Sequence, residues 1–338
     1  MRLFETKSLS LTDKVVLVTG GTGTFGKRFI KSVLNRWKPR KLIVFSRDEM
    51  KQWEMASDPE ILQQKCVRFF IGDVRDLDRL EMAMRDVDFV IHAAALKHVT
   101  AAEYNPFECI RTNVMGAENV VQASIRSGVK KVIALSTDKA ANPVNLYGAS
   151  KLASDKIFVA ANNLSGSSGT RFSVVRYGNV VGSRGSVIPL FQKLIRDGAE
   201  SLPVTDERMT RFWISLDQGV NFVLSSLELM LGGEVFVPKL PSMHVIDLAN
   251  AMAPNLPIKI IGIRPGEKLH ETMISADDAR KTCEMFDRYI IEPEMIWWTR
   301  GKFEDMTVRP IGKDFSYSSD SNEEWLSKDE LKRLLESN

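Results

Sequence analysis

The strongest constraint on the fold is a unit repeated along the first half of the chain, in which a short apolar run precedes a stretch with helical spacing. The runs lie at residues 14–19, 41–46, 67–71, 89–93, 132–136 and 172–176. Each is nearly continuous in apolar, often β-branched residues, which is typical of strands buried on both faces of a parallel sheet. Repeated strand–helix units predict an α/β fold with a doubly wound parallel sheet. One of its helices is expected over about residues 105–128.

The rhythm of strand and helix changes after about Tyr177, where glycine and proline become frequent and strand candidates stand alone. Helices are expected near 217–230 and 245–252, and another within 327–338, where Ser327 and Glu330 have capping-box spacing. We therefore expect a Rossmann-like lobe over residues 1–180 and mainly a smaller, C-terminal substrate-binding lobe over residues 181–338. No linker-like composition separates the two, which predicts one continuous structural unit.

Composition narrows the class of protein and its partners. The 338 residues carry a net charge of only +3, without a basic cluster, which argues against a nucleic-acid partner. Cys66, Cys109 and Cys283 are widely spaced and the four histidines are scattered, so we expect reduced thiols and no metal site. No run approaches the ~18 apolar residues of a membrane helix, and the N-terminus lacks the apolar core of a signal peptide. A cytoplasmic protein without a membrane partner is expected.

A glycine-rich turn follows the first predicted strand directly. Glycines at positions 20, 23 and 26 stand where the strand gives way to a helix. Such a turn lets backbone N–H groups approach a pyrophosphate, and the helix N-terminus adds a partial positive charge. After the first strand of a doubly wound sheet, this pattern predicts a dinucleotide cofactor rather than a simple structural turn. We expect the cofactor to contact Gly20, Thr22, Gly23, Thr24, Phe25 and Gly26.

The end of the second strand bears on the choice between NAD and NADP. An acidic residue at this position favours NAD by binding the ribose 2′-hydroxyl, but here Ser46 and Arg47 come before Asp48. An arginine can pair with a 2′-phosphate, so NADP is favoured. The alternative is that Arg47 lies in solvent and Asp48 binds the ribose.

Other cofactor contacts are expected at the ends of the later strands. Asp73, followed by Val74, is placed to accept from the adenine amino group, although it could also cap a helix. The small side chain of Ala93 would let the cofactor lie against the backbone. Lys97 follows this alanine run and could face either cofactor or substrate.

The fifth predicted strand leads into the residues that suggest catalysis. Thr137, Asp138 and Lys139 end this strand, and Tyr147 and Lys151 follow in the spacing that puts both on one face of a helix. A lysine beside a phenol lowers the pKa of the phenol, which would let Tyr147 act as a base near neutral pH. The alternative for Asp138 and Lys139 is a surface ion pair.

With these motifs the chain resembles the extended short-chain dehydrogenase/reductases, through TGxxGxxG, YxxxK and a threonine at the usual Ser/Thr position. The stretches LVTGGTGTFGK, HAAALKHV, LSTDKAANPVNLYGASK, RYGNVVGSRGSV and GIRPGEKLHE narrow the resemblance to one group. That group is the inverting UDP-N-acetylglucosamine 4,6-dehydratases, which open the route to pseudaminic acid. The likeness covers the chain except for the first dozen residues and about 290–312. Retaining relatives carry Asp-Glu where this chain has Asp138-Lys139.

The resemblance implies a lyase mechanism with NADP as cofactor and UDP-N-acetylglucosamine as substrate. Tyr147, assisted by Lys151 and Thr137, would remove the C4 hydroxyl proton while the cofactor takes the hydride. Lys139 would then remove the C5 proton as a neutral amine, and a protonated Asp138 would give its proton to the departing 6-hydroxyl. We expect neighbouring cations, Lys151 or Lys97, to lower the pKa of Lys139 enough for this role.

The remaining contacts are implied by the resemblance alone. Val180 would border the cofactor together with Tyr147 and Lys151. The substrate ligands would be Lys97, Asn179, Arg184, Thr205, Arg264 and Glu267. Arg208 and Arg211 could bind the same diphosphate or pair with Asp206 and Glu207; the sequence leaves both open.

Two other readings of function remain at this stage. A 4-epimerase or a retaining dehydratase would share the first oxidation, but neither explains a lysine after Asp138. A non-catalytic NADP-binding sensor would have no need for Thr137, Tyr147 and Lys151. Proteins of this family usually pair through helices of the first lobe, so a homo-oligomer is expected.

Overall fold

A computed structural model describes residues 2–166, 169–183, 185–295, 298 and 308–336. All six predicted strands are present, with ends that differ by at most one residue from the expected positions. They are β1 (Val15–Thr19), β2 (Lys41–Ser46), β3 (Val67–Ile71), β4 (Phe89–His92), β5 (Lys131–Thr137) and β6 (Arg171–Tyr177). All pairings among them are parallel, in the order β3-β2-β1-β4-β5-β6. The predicted α/β, Rossmann-like fold is confirmed.

Helices connect these strands and cover both faces of the sheet. They are α1 (Thr24–Arg36), α2 (Glu49–Ala56), α3 (Pro59–Leu62), α4 (Leu77–Ala83), α5 (Val99–Tyr104), α6 (Pro106–Ile110), α7 (Gly116–Arg126) and α8 (Leu146–Ala160). The helix expected over 105–128 is interrupted, because a π-helical turn at Arg111–Met115 separates α6 from α7. Short 3₁₀ turns lie at Asp138–Ala140 and Ala161–Asn163.

The second half contributes to the same sheet and also forms smaller ones. Its strands are β7 (Asn179–Val180), β8 (Leu202–Val204), β9 (Thr210–Ile214), β10 (Val235–Pro238), β11 (Ser242–His244), β12 (Ile258–Ile260), β13 (Thr272–Ile274), β14 (Thr282–Glu284), β15 (Arg288–Ile291), β16 (Arg309–Pro310) and β17 (Tyr317–Ser318). Its helices are α9 (Val187–Arg196), α10 (Leu216–Leu229), α11 (Val245–Met252), α12 (Ala276–Ala279) and α13 (Lys328–Glu336). The predicted capping box is present at the start of α13, where the Glu330 N–H donates to Ser327 Oγ and the Ser327 N–H donates to Glu330.

Strands from beyond residue 180 extend the large sheet, so the sheet itself does not end where the predicted lobe boundary lies. β10 pairs in parallel with β6, and β15, β14 and β16 continue antiparallel, which gives ten strands. A second apolar core is nevertheless built only from residues after 180, among them Phe191, Trp213 and Leu248. The continuous unit thus has a shared sheet and a separate C-terminal core. Among the described residues, no helix is long and apolar enough to cross a bilayer.

Candidate active site

The glycine-rich turn joins β1 to α1 and keeps its backbone close to the next strand. Gly20 has φ +65°, and a Cβ there would lie 2.9 Å from the Ala94 nitrogen. A Cβ on Gly26 would lie 2.5 Å from the Cα of Gly21, so the helix could not pack against the turn. Both positions require glycine, because a side chain at either would collide with neighbouring backbone.

The start of α1 offers donors to an anion. Its N-cap, Gly23, provides no side-chain cap, and the first turn has no acidic residue. The first N–H groups of a helix lack intrahelical partners, so the backbone at Thr24, Phe25 and Gly26 is suited to a phosphate.

At the end of β2, the structure separates the roles of Arg47 and Asp48. Asp48 caps α2 by accepting the Lys51 N–H at 3.0 Å, and it is ion-paired with the Lys51 ammonium. Arg47 is 57% exposed, with its guanidinium 3.7 Å from Asp73. Thr22 and Ser46 are hydrogen-bonded through their hydroxyls at 2.8 Å, which links the glycine-rich turn to this strand end.

Asp73 lies beside Arg47 but does not cap a helix. The cap of α4 is Asp76, whereas Asp73 accepts from the backbone and guanidinium of Arg75. Burial raises the pKa of Asp73, but the hydrogen bonds from Arg75 outweigh it and the pKa is lowered. Val74 is buried and packs against Gly116, which leaves no room for a larger residue on α7.

The loop after β4 is held by a residue that sequence reasoning missed. Asn113 lies in the π-helical turn and is 1% exposed; its side-chain Oδ1 accepts the Leu96 N–H and its Nδ2 donates to the Leu96 carbonyl. Its amide also donates to Ser150, beside Lys151 on α8. Asn113 therefore fixes Ala93–Lys97 relative to the YxxxK helix, and Lys97 itself is exposed. π-helical turns often occur at functional sites, but their position is not visible in the spacing of residues.

The end of β5 places the catalytic candidates together in a 3₁₀ turn. Thr137 donates to Asp138 Oδ1 at 2.9 Å, and the Lys139 ammonium lies 3.0 Å from the same oxygen. Asp138 is 1% exposed and its second oxygen, Oδ2, has no hydrogen-bond partner. A buried carboxylate with an open acceptor is not a surface ion pair, so that alternative is wrong.

Helix α8 passes directly over this turn. Asn145 caps it by accepting the Gly148 N–H at 2.8 Å, and a Cβ on Gly148 would collide with the Lys139 carbonyl. Only glycine permits the approach that brings Tyr147 next to Thr137 and Lys139. Lys151, one turn later, is 3% exposed.

The charge state of Tyr147 differs from the expectation. Burial raises the pKa of Tyr147 to about 12, against the lowering effect of the Lys139 charge and a hydrogen bond with Thr137. Burial lowers the pKa of Lys151, with Asp155 opposing that effect from the next turn. The role of Lys151 in preparing Tyr147 as a base near neutral pH stays a prediction.

The expectation that neighbouring cations lower the pKa of Lys139 is wrong, because two carboxylates beside its amine outweigh the opposing charge of Arg211. Burial lowers the pKa of Lys139, but Asp138 and Glu271 outweigh it and raise the pKa well above its usual range. Lys139 is therefore held as an ammonium ion between two acids.

One of these acids, Glu271, comes from the GEKLHE stretch at residues 266–271, which packs against the segment between β5 and α8. Asn145 donates to the Gly266 carbonyl at 2.7 Å, and Lys268 donates to the Ala141 carbonyl at 2.6 Å. Glu271 then lies 3.0 Å from the Lys139 ammonium. The stretch stood out in the sequence, but nothing in its spacing indicated contact with Lys139.

The structure brings some of the predicted substrate ligands together. Glu267 accepts from Thr205 Oγ1 at 3.5 Å and from Arg264 Nε at 3.2 Å. Asn179 and Val180 form β7, and the buried Oδ1 of Asn179 has no hydrogen-bond partner. Arg184 lies outside the described residues.

Arg208 and Arg211 have different surroundings. Arg208 is exposed and pairs with Asp206 at 2.8 Å, as one of the two alternatives predicted. Arg211 contacts neither expected partner. It is 7% exposed and donates to the backbone carbonyls of Thr210, Lys268 and Leu269, which ties β9 to the GEKLHE stretch.

Comparison with known proteins assigns this chain to a family. Residues 16–293 match a family model described as polysaccharide biosynthesis protein. The chain is 61% identical over 329 residues to the inverting UDP-N-acetylglucosamine 4,6-dehydratase of Campylobacter jejuni, covering 95% of this chain and 97% of that protein. It is 44% identical over 288 residues to a UDP-glucose 4-epimerase of Rickettsia canadensis, covering 82% and 83%.

Solved structures agree with this placement. Pen from Bacillus thuringiensis is 38% identical, with a TM-score of 0.88 over 97% of this chain and 99% of that one. The dTDP-glucose 4,6-dehydratase DesIV from Streptomyces venezuelae, solved with NAD, has a TM-score of 0.69 at 22% identity, covers 95% of each chain, and supports the fold alone.

A Rossmann-like sheet with the glycine-rich turn after β1 and the YxxxK helix after β5 defines the extended short-chain dehydrogenase/reductase class. Within that class, the chain belongs to the polysaccharide biosynthesis protein family. The resemblance to the inverting UDP-N-acetylglucosamine 4,6-dehydratases is confirmed by 61% identity over nearly the whole chain.

Proposed function

We propose that this protein is an NADP-dependent lyase that removes water from UDP-N-acetylglucosamine across C5 and C6 and inverts C5. The product would be UDP-2-acetamido-2,6-dideoxy-L-arabino-hex-4-ulose. The observation that carries the proposal is the ion pair between the buried Asp138 and the partly buried Lys139, with 3.0 Å between carboxylate and ammonium, next to Thr137 and Tyr147. The name of the Campylobacter relative supports the substrate.

The turn after β1 fits a dinucleotide, because Gly20 and Gly26 keep side chains out of it and α1 presents uncapped N–H groups. Arg47, 57% exposed at the tip of β2, is suited to a 2′-phosphate, while Asp48 is occupied as a helix cap. These contacts favour NADP over NAD. Asp73, Val74, Ala93, Lys97 and Val180 would border the rest of the cofactor. When bound, the oxidised nicotinamide supplies a hydride acceptor and a positive charge.

In the first step, Tyr147 takes the proton of the C4 hydroxyl as that carbon is oxidised. A phenol with a pKa of about 12 is almost fully protonated near neutral pH, so Tyr147 depends on nearby positive charges to become a phenolate base. Lys139 and the hydrogen bond with Thr137 already favour the phenolate, and Lys151 lies one turn along the same helix face.

In the second step, Asp138 and Lys139 act as acid and base. Moving one proton from the Lys139 ammonium to Asp138, across 3.0 Å, converts an ion pair into a neutral amine and a protonated acid. Lys139 then takes the C5 proton, which the 4-ketone has acidified, and Asp138 gives its proton to the departing 6-hydroxyl. The hydride returns to C6, and C5 receives a proton on the opposite face.

The substrate would be held by residues of the C-terminal part. Arg264, 57% exposed and oriented by Glu267, is suited to the diphosphate. Thr205 bonds to the same glutamate, and the open acceptor of Asn179 can take a donor from the sugar nucleotide. Lys97 and Arg184 complete the proposed set.

Other features support proposals about where the protein acts and whether it assembles. The free thiols Cys66, Cys109 and Cys283 are consistent with the reducing cytoplasm. Tyr104, Phe107 and Met115 expose apolar area along α5–α7, which supports a homo-oligomer, testable by light scattering. The product would enter a pathway of the pseudaminic acid type.

A 4-epimerase is the second candidate, since relatives with that name match this chain at 44% identity. It would share the oxidation by Tyr147 but would leave the 6-hydroxyl in place. The Asp138–Lys139 pair argues against it, because an epimerase has no proton to move at C5 or C6.

The deciding experiment is incubation of the purified holoenzyme with UDP-N-acetylglucosamine in deuterium oxide, without added reductant, followed by proton NMR. We expect a 6-deoxy-4-keto sugar with deuterium at C5 and the L-arabino configuration. The D-xylo ketone would contradict inversion and the role of Lys139. A C4 epimer that retains its 6-hydroxyl would make the protein an epimerase, and no reaction despite bound cofactor would favour a sensor.

The matched variant in that experiment is Lys139→Ala. It should bind cofactor normally and lose dehydration, because the amine assigned to removal of the C5 proton is gone. Dehydration at the wild-type rate in this variant would show that Lys139 is not the base.

A further inference from the structure

One ammonium group is shared by two buried carboxylates from distant parts of the chain. Glu271, directly before β13, is 1% exposed, and its Oε1 lies 3.0 Å from the Lys139 nitrogen. Asp138 Oδ1 lies 3.0 Å from the same nitrogen. The proposed chemistry assigns a role to Asp138 but leaves this second carboxylate without one.

Glu271 is itself held in place by other groups. Its backbone N–H donates to Ser319 Oγ at 2.9 Å, and its carbonyl accepts the Ser319 N–H at 2.8 Å. Its Oε1 is 3.8 Å from Arg211 Nε, and its Oε2 is 3.9 Å from the Lys268 ammonium. Oε2 is buried and accepts no hydrogen bond.

The two carboxylates therefore differ in the cations that lie beside them. Arg211 and Lys268 approach Glu271 within 4 Å, so two cations besides Lys139 stabilise its charge. The direct ion pair of Asp138 is with Lys139. When the proton of Lys139 moves, Asp138 is the carboxylate suited to receive it, because Glu271 has two further cations beside it.

We propose that Glu271 is a positioning residue for the dehydration: it orients the Lys139 amine and stabilises the ammonium that forms when this amine removes the C5 proton. This inference rests on the proposed function. The charged groups facing Glu271 are Lys139 from the turn after β5, Arg211 from β9 and Lys268 from its own segment, with Asp138 beyond Lys139.

The atoms balance without another reactant. The C5–H bond breaks, its proton forms an N–H bond on Lys139, and its electron pair becomes part of the enolate of the 4-ketone. The C6–O bond then breaks, and the hydroxyl takes the proton of Asp138 and leaves as water. The pair returns to the ammonium–carboxylate form found in the structure, beside the unchanged Glu271 anion.

This role predicts the direction of a pH effect. The productive Asp138–Lys139 pair holds one proton, and its loss at high pH stops the reaction. Asp138 and Glu271 together outweigh burial and raise the pKa of Lys139, so they delay that loss. Removing the charge of Glu271 lowers the pKa of Lys139, and the alkaline limit of activity should move to lower pH.

The test compares Glu271→Gln and Glu271→Asp with the wild-type holoenzyme over a range of pH. In Glu271→Gln we expect the alkaline limit of kcat to fall by about 1–3 pH units. We also expect kcat at the optimum to fall about 10²-fold with little change in KM, because the amine is less well oriented. Glu271→Asp should keep the wild-type alkaline limit, because its charge remains, and lose only rate.

The control is Glu284→Gln, which removes a carboxylate paired with Lys239 at 2.6 Å, outside the proposed site, and should leave the profile unchanged. A Glu271→Gln enzyme that loses rate equally at every pH would reduce Glu271 to a structural role and overturn the proposal.

A second measurement separates this proposal from the proposed function. Amine acylation at Lys139, followed by peptide mass spectrometry across pH, needs no turnover. Onset of labelling at lower pH in Glu271→Gln than in wild type supports the coupling of Glu271 to Lys139, even if UDP-N-acetylglucosamine is not the substrate. Identical labelling profiles would refute the coupling, whatever the substrate.

Discussion

At the scale of single residues, the site is a set of charges whose values depend on neighbours far away in the sequence. Lys139 is the clearest case, because its ammonium form is fixed by Asp138, its chain neighbour, and by Glu271, which comes from the second half of the chain. Arg47 and Asp48 show the same principle on the cofactor side. Which of them is available for a ribose depends on the helix cap that Asp48 makes with Lys51.

The availability of Arg47 gives a prediction about cofactor choice. Arg47→Ala should weaken NADP binding roughly 10–100-fold, because a charge-assisted pair with the 2′-phosphate is lost, and should leave NAD binding nearly unchanged. Calorimetric titration with each dinucleotide measures the difference. Arg126→Ala, which removes an exposed arginine paired with Glu81 at the end of α7, is the control. Equal losses for NAD and NADP would show that Arg47 does not read the phosphate.

At the scale of elements, close packing between helices and turns fixes the geometry of the candidate site. Helix α8 carries Tyr147 and Lys151 across the turn that carries Asp138 and Lys139, and Gly148 makes the crossing possible. The π-helical turn acts similarly from the other side, where Asn113 joins the loop after β4 to α8. The spacing of apolar residues predicted the helices but not how closely they approach.

A change at Gly148 tests this crossing. Gly148→Ala should destabilise the protein by about 1–3 kcal/mol, because the added methyl meets the Lys139 carbonyl and the backbone must shift. Urea unfolding measures the stability. The dehydration assay should also show a lower kcat in the folded variant, because Tyr147 is displaced.

The control for Gly148 is Gly219→Ala in α10, where an added Cβ meets nothing within 4 Å. Alanine is the better helix former, so this variant should be unchanged or more stable by up to about 1 kcal/mol. Equal stability of the two variants would contradict the close crossing of α8.

At the scale of the whole molecule, the sheet carries buried polar groups beneath the site. Asp155 accepts from Ser136 at 2.8 Å and lies 3.5 Å from Arg176, whose guanidinium donates to the Met273 carbonyl. This chain of contacts joins α8 to the C-terminal part. His92, at the end of β4, belongs to the same interior. It bonds to Thr19 through Nδ1 at 2.8 Å, and its Nε2 has no hydrogen-bond partner.

His92 predicts loss of stability in mild acid. Burial, with the Lys151 charge, lowers the pKa of His92 from 6.5 to about 3. Below pH 6.5 the unfolded chain binds a proton that the folded protein does not, so stability present above this pH is lost as the pH falls toward 3. At pH 5 the loss from His92 is about 2 kcal/mol.

Urea unfolding at pH 7.5 and pH 5 measures this effect in wild type and in His92→Asn, which retains an acceptor for Thr19 but does not titrate. The variant should lose about 2 kcal/mol less than wild type between the two pH values. Parallel losses in both proteins would show that His92 does not contribute.

The sequence by itself determined the strands, the glycine-rich turn and the YxxxK helix, because these depend on near neighbours in the chain and on short, continuous apolar runs. It also identified Thr137, Asp138 and Lys139 as one group, since they are adjacent. Only the tertiary structure decided the charge on Lys139, the burial of Arg211 and the positions of Asn113 and Glu271. The physical reason is that electrostatic and packing energies depend on distance in space, and residues 139 and 271 meet only when the chain has folded.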